Sequence, residues 1–80
     1  MTTAEPQPLT ALAIGSAGTV TEIRIPAEHR GRILEMGLLV GTPVELVRFA
    51  PMGDPVEINV RGYAVSLRKG EAQLLRVERL

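Results

Sequence analysis

Three sets of residues in this chain are of types that do chemistry. The first is His29 with Glu28 and Glu35, an imidazole and two carboxylates within one short segment. Divalent first-row cations accept such donors when the ligands converge on one point. His29, Glu28 and Glu35 do not repeat at the i and i+4 spacing that brings two ligands together on one helix, no second histidine exists, and the chain has no cysteine. His29 is therefore read as a solvated helix residue, and no metal or cofactor site is expected. The second set is Ser16, Ser66 and Asp54, the raw material of nucleophilic or acid–base catalysis. Neither serine has a histidine near it in sequence, and Asp54 stands between Gly53 and Pro55, where turn formation accounts for it. The third is Phe49 and Tyr63, too few rings to pave a polyproline groove. Phe49 is read as core, and Tyr63 is left open between core and surface. No G-x-x-x-x-G-K-S/T or G-x-G-x-x-G string occurs to cradle a phosphate. Enzymatic activity is not expected.

Composition narrows the partners. Nine basic and nine acidic residues cancel, so the electrostatic term that drives phosphate-backbone binding is missing and nucleic acid is not an expected partner. With 45% hydrophobic and 22% charged residues the chain has the balance of a folded domain. A domain of 80 residues hides only about 60% of the surface its unfolded form exposes, so its apolar residues must share one core. No segment approaches the ~20 apolar residues that span a bilayer, and residues 1–8 lack the basic start and apolar run of a secretory signal. A cytoplasmic location without membrane insertion is expected.

The elements follow from periodicity and punctuation. Residues 1–8, with Pro6 and Pro8, read as a flexible tail, and residues 9–80 as the domain. Leu9 to Ala13 reads as a helical turn that Thr10 caps and Gly15 ends, plugging one end of the core. Strands are expected over 19–25, 42–49, 56–60, 63–68 and 74–78, each alternating apolar with polar residues. In the second of these, Val44, Leu46 and Arg48 share one side and Glu45, Val47 and Phe49 the other. Arg61-Gly62 makes a tight reversal, Pro51 to Pro55 a wider one, and Glu71 to Gln73 a single 3₁₀ turn. Ala27 to Met36 reads as a helix with Ile33, Leu34, Met36 and Leu38 on one face and Gly37 supplying the positive φ at its end. Glu28 precedes Arg32 by four residues, the favourable order for a surface ion pair worth roughly 0.3 kcal/mol. Gly31 weakens the helix by roughly 1 kcal/mol relative to alanine, so packing must hold it. The sum is a mostly β fold, a small closed SH3-like β-barrel of about five strands with an inserted short helix and an N-terminal helical turn.

Several motifs stand at fixed intervals: Leu9-x-x-Leu12-x-x-Gly15, Gly18-x-Val20, Arg32-x-Leu34-x-Met36-Gly37-Leu38-x-x-Gly41-Thr42, Gly53-Asp54-Pro55, and Gly62-Tyr63-x-x-Ser66-Leu67-Arg68 with Glu71-Ala72. In this combination the chain resembles the FeoA family from Leu9 to about Val77. The resemblance implies a non-catalytic, cytosolic SH3-like accessory protein of bacterial ferrous-iron uptake. It would act by contact with FeoB, a membrane transporter carrying a cytosolic G-protein domain. It associates the family with transition-metal ions but transfers no ligand set to this chain. Gly15, Gly37, Gly41, Gly53 and Gly62 carry over as fold determinants. Two rival readings are a stand-alone SH3-like domain akin to the C-terminal domain of metal-dependent repressors, which the lack of a helix-turn-helix segment opposes, and a self-associating adaptor whose edge strand pairs with another copy.

If the chain works by contact, its surface is the site. Leu39, Val40 and Met52 are apolar residues in loop positions, either covered by a partner or capping the barrel ends. Arg61, Arg68 and Lys69 gather around the last hairpin, either to meet an acidic patch or as a solvated face. The partner-contact candidates are Leu39, Val40, Met52, Arg61 and Arg68.

Overall fold

A computed structural model of the chain describes residues 5–80. Six strands form one antiparallel sheet: β1 (Gln7–Pro8), β2 (Ala17–Ile23), β3 (Pro43–Phe49), β4 (Val56–Val60), β5 (Tyr63–Leu67) and β6 (Leu75–Arg79), in the spatial order β1-β6-β2-β3-β4-β5. A 3₁₀ turn (Leu9–Ala11), helix α1 (Ala27–Glu35) and helix α2 (Lys69–Gln73) complete the fold. The mostly β architecture with its inserted helix and N-terminal helical turn agrees with the sequence reading. The ladder, however, ends on β1 and β5 instead of closing on itself. The sixth strand comes from residues assigned to the tail: Gln7 and Pro8 pair with Val77 and Arg76, and Arg76 Nη2 donates to the Pro6 carbonyl at 3.3 Å. A two-residue edge strand accepts Pro8 because its missing N–H removes little from the ladder. Residues 1–4 of the expected tail lie outside the described residues.

One hydrophobic core draws on every element except the short edge strand β1. Leu46, Ile58, Val56 and Leu67 fill it from the β3–β5 side, Val20, Leu75 and Val77 from β2 and β6, and Leu9 and Leu12 close one end. Leu9 and Leu12 seal that end as expected, but Thr10 makes no capping bond there, since Pro8 occupies the capping position.

Two bulges decide which residues enter the core. The β3–β4 register skips one residue between Leu46 and Arg48, so Val47 has no partner and Phe49 pairs with Val56. A bulge reverses the alternation beyond it. Phe49 consequently packs against the core and Arg48 stays outside, where it binds Glu57, correcting the strict alternation that put Arg48 with Val44 and Leu46. A second bulge in β2 sits between Val20 and Glu22, where the Thr21 hydroxyl donates to the Arg76 carbonyl at 3.2 Å.

Helix α1 ends as the glycine forecasts. Gly37 has φ +87°, its N–H donates to the Leu34 carbonyl at 2.9 Å, and the Leu38 N–H donates to the Ile33 carbonyl at 3.2 Å. This is a Schellman motif, with Ile33 and Leu38 both fully buried as its apolar pair. Leu34 is 49% exposed and does not share that face, because a nine-residue helix lying on a small barrel buries only a narrow stripe. The Glu28–Arg32 pair does not form. Arg32 Nη1 instead binds Glu71 Oε1 of α2 at 2.7 Å, and Arg30 holds the helix start, donating from Nε to the Ile25 carbonyl at 2.7 Å and from Nη2 to the Ile23 carbonyl at 3.1 Å. The turn expected at 71–73 is the five-residue α2, and Glu71 Oε1 reaches back to accept the N–H of Arg68, the residue that caps it, at 3.3 Å.

Candidate partner-binding surface

The five contact candidates fall at opposite ends of the β3–β4 ladder. One end holds Leu39, Val40 and Arg61. After α1 the chain turns over Leu39 to Thr42, where the Gly41 N–H donates to the Val20 carbonyl at 2.7 Å and the Thr42 N–H to the Leu39 carbonyl at 3.0 Å. Thr42, 3% exposed, accepts the Leu39 N–H on its hydroxyl at 3.3 Å, so the buried side chain serves the turn backbone. With the backbone satisfied from within, Leu39 and Val40 point outward, 45% and 65% exposed. The neighbouring β4–β5 turn carries Arg61 at φ +53° and Gly62 at φ +86°, the two left-handed residues of a type I′ hairpin.

The other end holds Met52 and Arg68. Met52 is 92% exposed at the tip of the β3–β4 connection. Asp54, in the same connection, accepts the Lys69 N–H on Oδ1 at 3.0 Å, tying this loop to the start of α2. Tyr63, left open by the sequence, stands 75% exposed at the first position of β5.

A concavity of about 470 Å³ lies between α1 and α2 and is lined by Ile25, Pro26, His29, Asp54, Arg68 and Leu74 among others. Its carboxylates have structural duties: Asp54 on the Lys69 amide, and Glu71 on Arg32 and the Arg68 amide. No hydroxyl nucleophile lines it. Glu28, His29 and Glu35 are all exposed on α1, and among the described residues no three His, Cys, Asp or Glu side chains are placed to hold a metal ion. Nor, among those residues, is any helix long and apolar enough to cross a membrane.

What the sequence reading missed is the free margin of β5. It pairs with β4 on one side, and none of its residues makes a further backbone hydrogen bond to a turn or loop among those described. The signal was present in Tyr63-Ala64-Val65-Ser66-Leu67, a run without charge or proline following a hairpin turn. Lys69, grouped with the basic residues but not among the chosen contacts, stands at the end of this margin.

Comparison with known proteins fixes the lineage. The FeoA domain model matches residues 7–79. The chain belongs to the FeoA domain family. Among curated proteins, it is similar to a Fe(2+) transport protein A/Fe(2+) transporter FeoB fusion protein of Porphyromonas gingivalis, 36% identical over 70 residues. That match takes in 88% of this chain and 8% of the fusion protein, so the chain spans only a small part of that relative's length. Among solved structures it is similar to FeoA from Chlorobium tepidum, with TM-score 0.86 and 34% identity over 92% of this chain and 70% of that one. A FeoA-like protein from Clostridium acetobutylicum gives TM-score 0.83 and 39% identity over 100% and 91% of the two chains. A manganese-dependent transcriptional repressor superposes with TM-score 0.87 at 20% identity, covering 98% of this chain and 38% of that one, a likeness of fold alone. The five glycines assigned to the FeoA pattern, Gly15, Gly37, Gly41, Gly53 and Gly62, all have positive φ.

Proposed function

We propose that this FeoA-family domain serves ferrous-iron uptake by binding a FeoB-like transporter on its cytosolic side, as an accessory without catalytic activity of its own. The observation that carries this reading is the 36% identity to a protein named as a fusion of transport protein A with transporter FeoB. Two modules in one polypeptide meet at an effective concentration of about millimolar, enough to sustain a contact that is weak when the parts are separate. The iron is the transporter's cargo, and this chain contributes surface. Exposed Leu39, Val40 and Met52 supply apolar contact, and Arg61 and Arg68 supply charge, at both ends of the β3–β4 ladder. Homo-oligomerisation is a separate question that the same preparation answers.

The test is a binding and nucleotide-hydrolysis assay with the FeoB-like transporter of the same organism, in detergent, with this chain at tens of micromolar. Retention of the chain together with a changed hydrolysis rate is expected. Neither binding nor any change in rate, with the transporter otherwise active, refutes the proposal.

A further inference from the structure

The β4–β5 hairpin turns on two residues, Arg61 and Gly62, between the paired Val60 and Tyr63. In a two-residue hairpin the flanking pair exchanges both hydrogen bonds, and hydrogen-bonded pairs alternate with unbonded ones along the ladder. Tyr63, Val65 and Leu67 therefore direct their backbone groups at β4. Ala64 and Ser66 direct theirs away from it, onto the open margin, and both residues are exposed. Natural edge strands are guarded by charge, proline or covering loops, and none of these stands within Tyr63–Leu67. The basic residues lie just outside, Arg61 before the strand and Arg68 and Lys69 after it, and none of the three enters an ion pair among the described residues.

That arrangement selects the occupant. A second copy pairing antiparallel over the whole of β5 would centre on Val65, with Ala64 against Ser66 of the other copy. The same register brings Arg61, just before β5 in one copy, toward Arg68 and Lys69, just after β5 in the other, at each end of the pairing, and like charges brought close together are destabilising. A strand with carboxylates at its ends meets attraction at the same two places. From the unguarded margin and its basic brackets we infer that β5 is a strand-addition site for an extended partner segment. That segment has about five uncharged residues, apolar at alternate positions, with an Asp or Glu just beyond each end. The apolar positions would lie over Tyr63, 75% exposed, and half-buried Val65, extending the inner face of the barrel. This rests on the transporter-binding reading, and the segment belongs to the transporter's cytosolic part.

The experiment is hydrogen–deuterium exchange on the full chain, alone and with the detergent-solubilised transporter, together with affinity measurements on two variants. Of the five β5 amides, Ala64 and Ser66 exchange fast in the free chain and become protected in the complex. Ala64→Pro removes an outward N–H and no bond to β4, and weakens binding about tenfold. Arg61→Asn/Lys69→Gln leaves every ladder bond in place, so it tests the inference even where the proline variant misfolds. It weakens binding several-fold and flattens its salt dependence. If the transporter binds wild type without new β5 protection, or binds both variants as tightly as wild type, the edge inference is overturned while transporter binding stands. Protection that grows with the chain's own concentration, without transporter, makes a second copy the occupant and overturns it too. Absence of any transporter binding overturns both readings together.

Discussion

Replacing Arg61 with asparagine pulls stability and partner binding in opposite directions. Arg61 sits at φ +53° as the first residue of the β4–β5 turn, and its side chain makes no ion pair among the described residues. A left-handed conformation costs an ordinary L-residue about 1–2 kcal/mol, and asparagine tolerates it best apart from glycine. Asn-Gly is also the preferred pair for this turn type. Relief of about half the strain gives ~0.5–1 kcal/mol. For 80 residues the unfolding entropy is about 0.17 kcal/mol per kelvin, so Tm should rise by about 3–6 °C. The same substitution removes a cation from the proposed contact surface, so transporter binding weakens while the domain becomes more stable. Thermal unfolding by circular dichroism, paired with the binding assay, checks both halves. A Tm equal to or below that of wild type refutes the reasoning, because it would mean that the guanidinium contributes more than the backbone strain takes away.

Other outcomes follow from the packing. Leu46→Ala empties a fully buried position at the middle of β3 and should destabilise by about 2–5 kcal/mol in urea unfolding, with the denaturant slope unchanged. At Gly18, an alanine Cβ would stand 3.0 Å from the Glu78 carbonyl oxygen and 3.3 Å from Val77 Cβ, so Gly18→Ala should cost about 1–3 kcal/mol by separating β2 from β6 in the same assay. Arg30→Lys keeps the charge but loses the fork that spans the Ile23 and Ile25 carbonyls. A loss of about 1 kcal/mol and faster amide exchange in α1 are expected, and unchanged exchange would show that the fork does not anchor the helix.

Much of the fold was legible because local rules and tertiary need coincide. Val56 to Val60 alternates without a break and is the strand β4. Gly37 announced a helix end that the Schellman bonds then close, and Arg61-Gly62 announced a hairpin that the φ values confirm. The reading failed where a long-range partner overrode a local one. Arg32 ignores Glu28 because α2 brings Glu71 within 2.7 Å, a neighbour 39 residues away that no helical spacing reveals. Arg48 leaves the side of Val44 and Leu46, while Phe49 packs on the core as expected, because the bulge at Val47 shifts the pleat by one residue, and a bulge depends on how two strands meet. Gln7 and Pro8 are strand only because β6 offers them an edge.

The candidate surface divides in the same way. The sequence singled out Leu39, Val40 and Met52 as apolar residues in loop positions, since apolar residues between turn-forming glycines and prolines have no periodic face to join, and all three are exposed. It left open how they group, because residues 39 and 61 come to one end of the β3–β4 ladder, and 52 to the other, only when β3 and β4 run antiparallel.

By itself, then, the sequence determined the lineage, most of the strand and helix segments and the glycine-dependent turns, all of which are properties of neighbours along the chain. Tertiary structure alone decided which strand is left with an unpaired margin and which charges bracket it. An edge is defined by what fails to pack beside it, and that is settled only when every other strand has found its place.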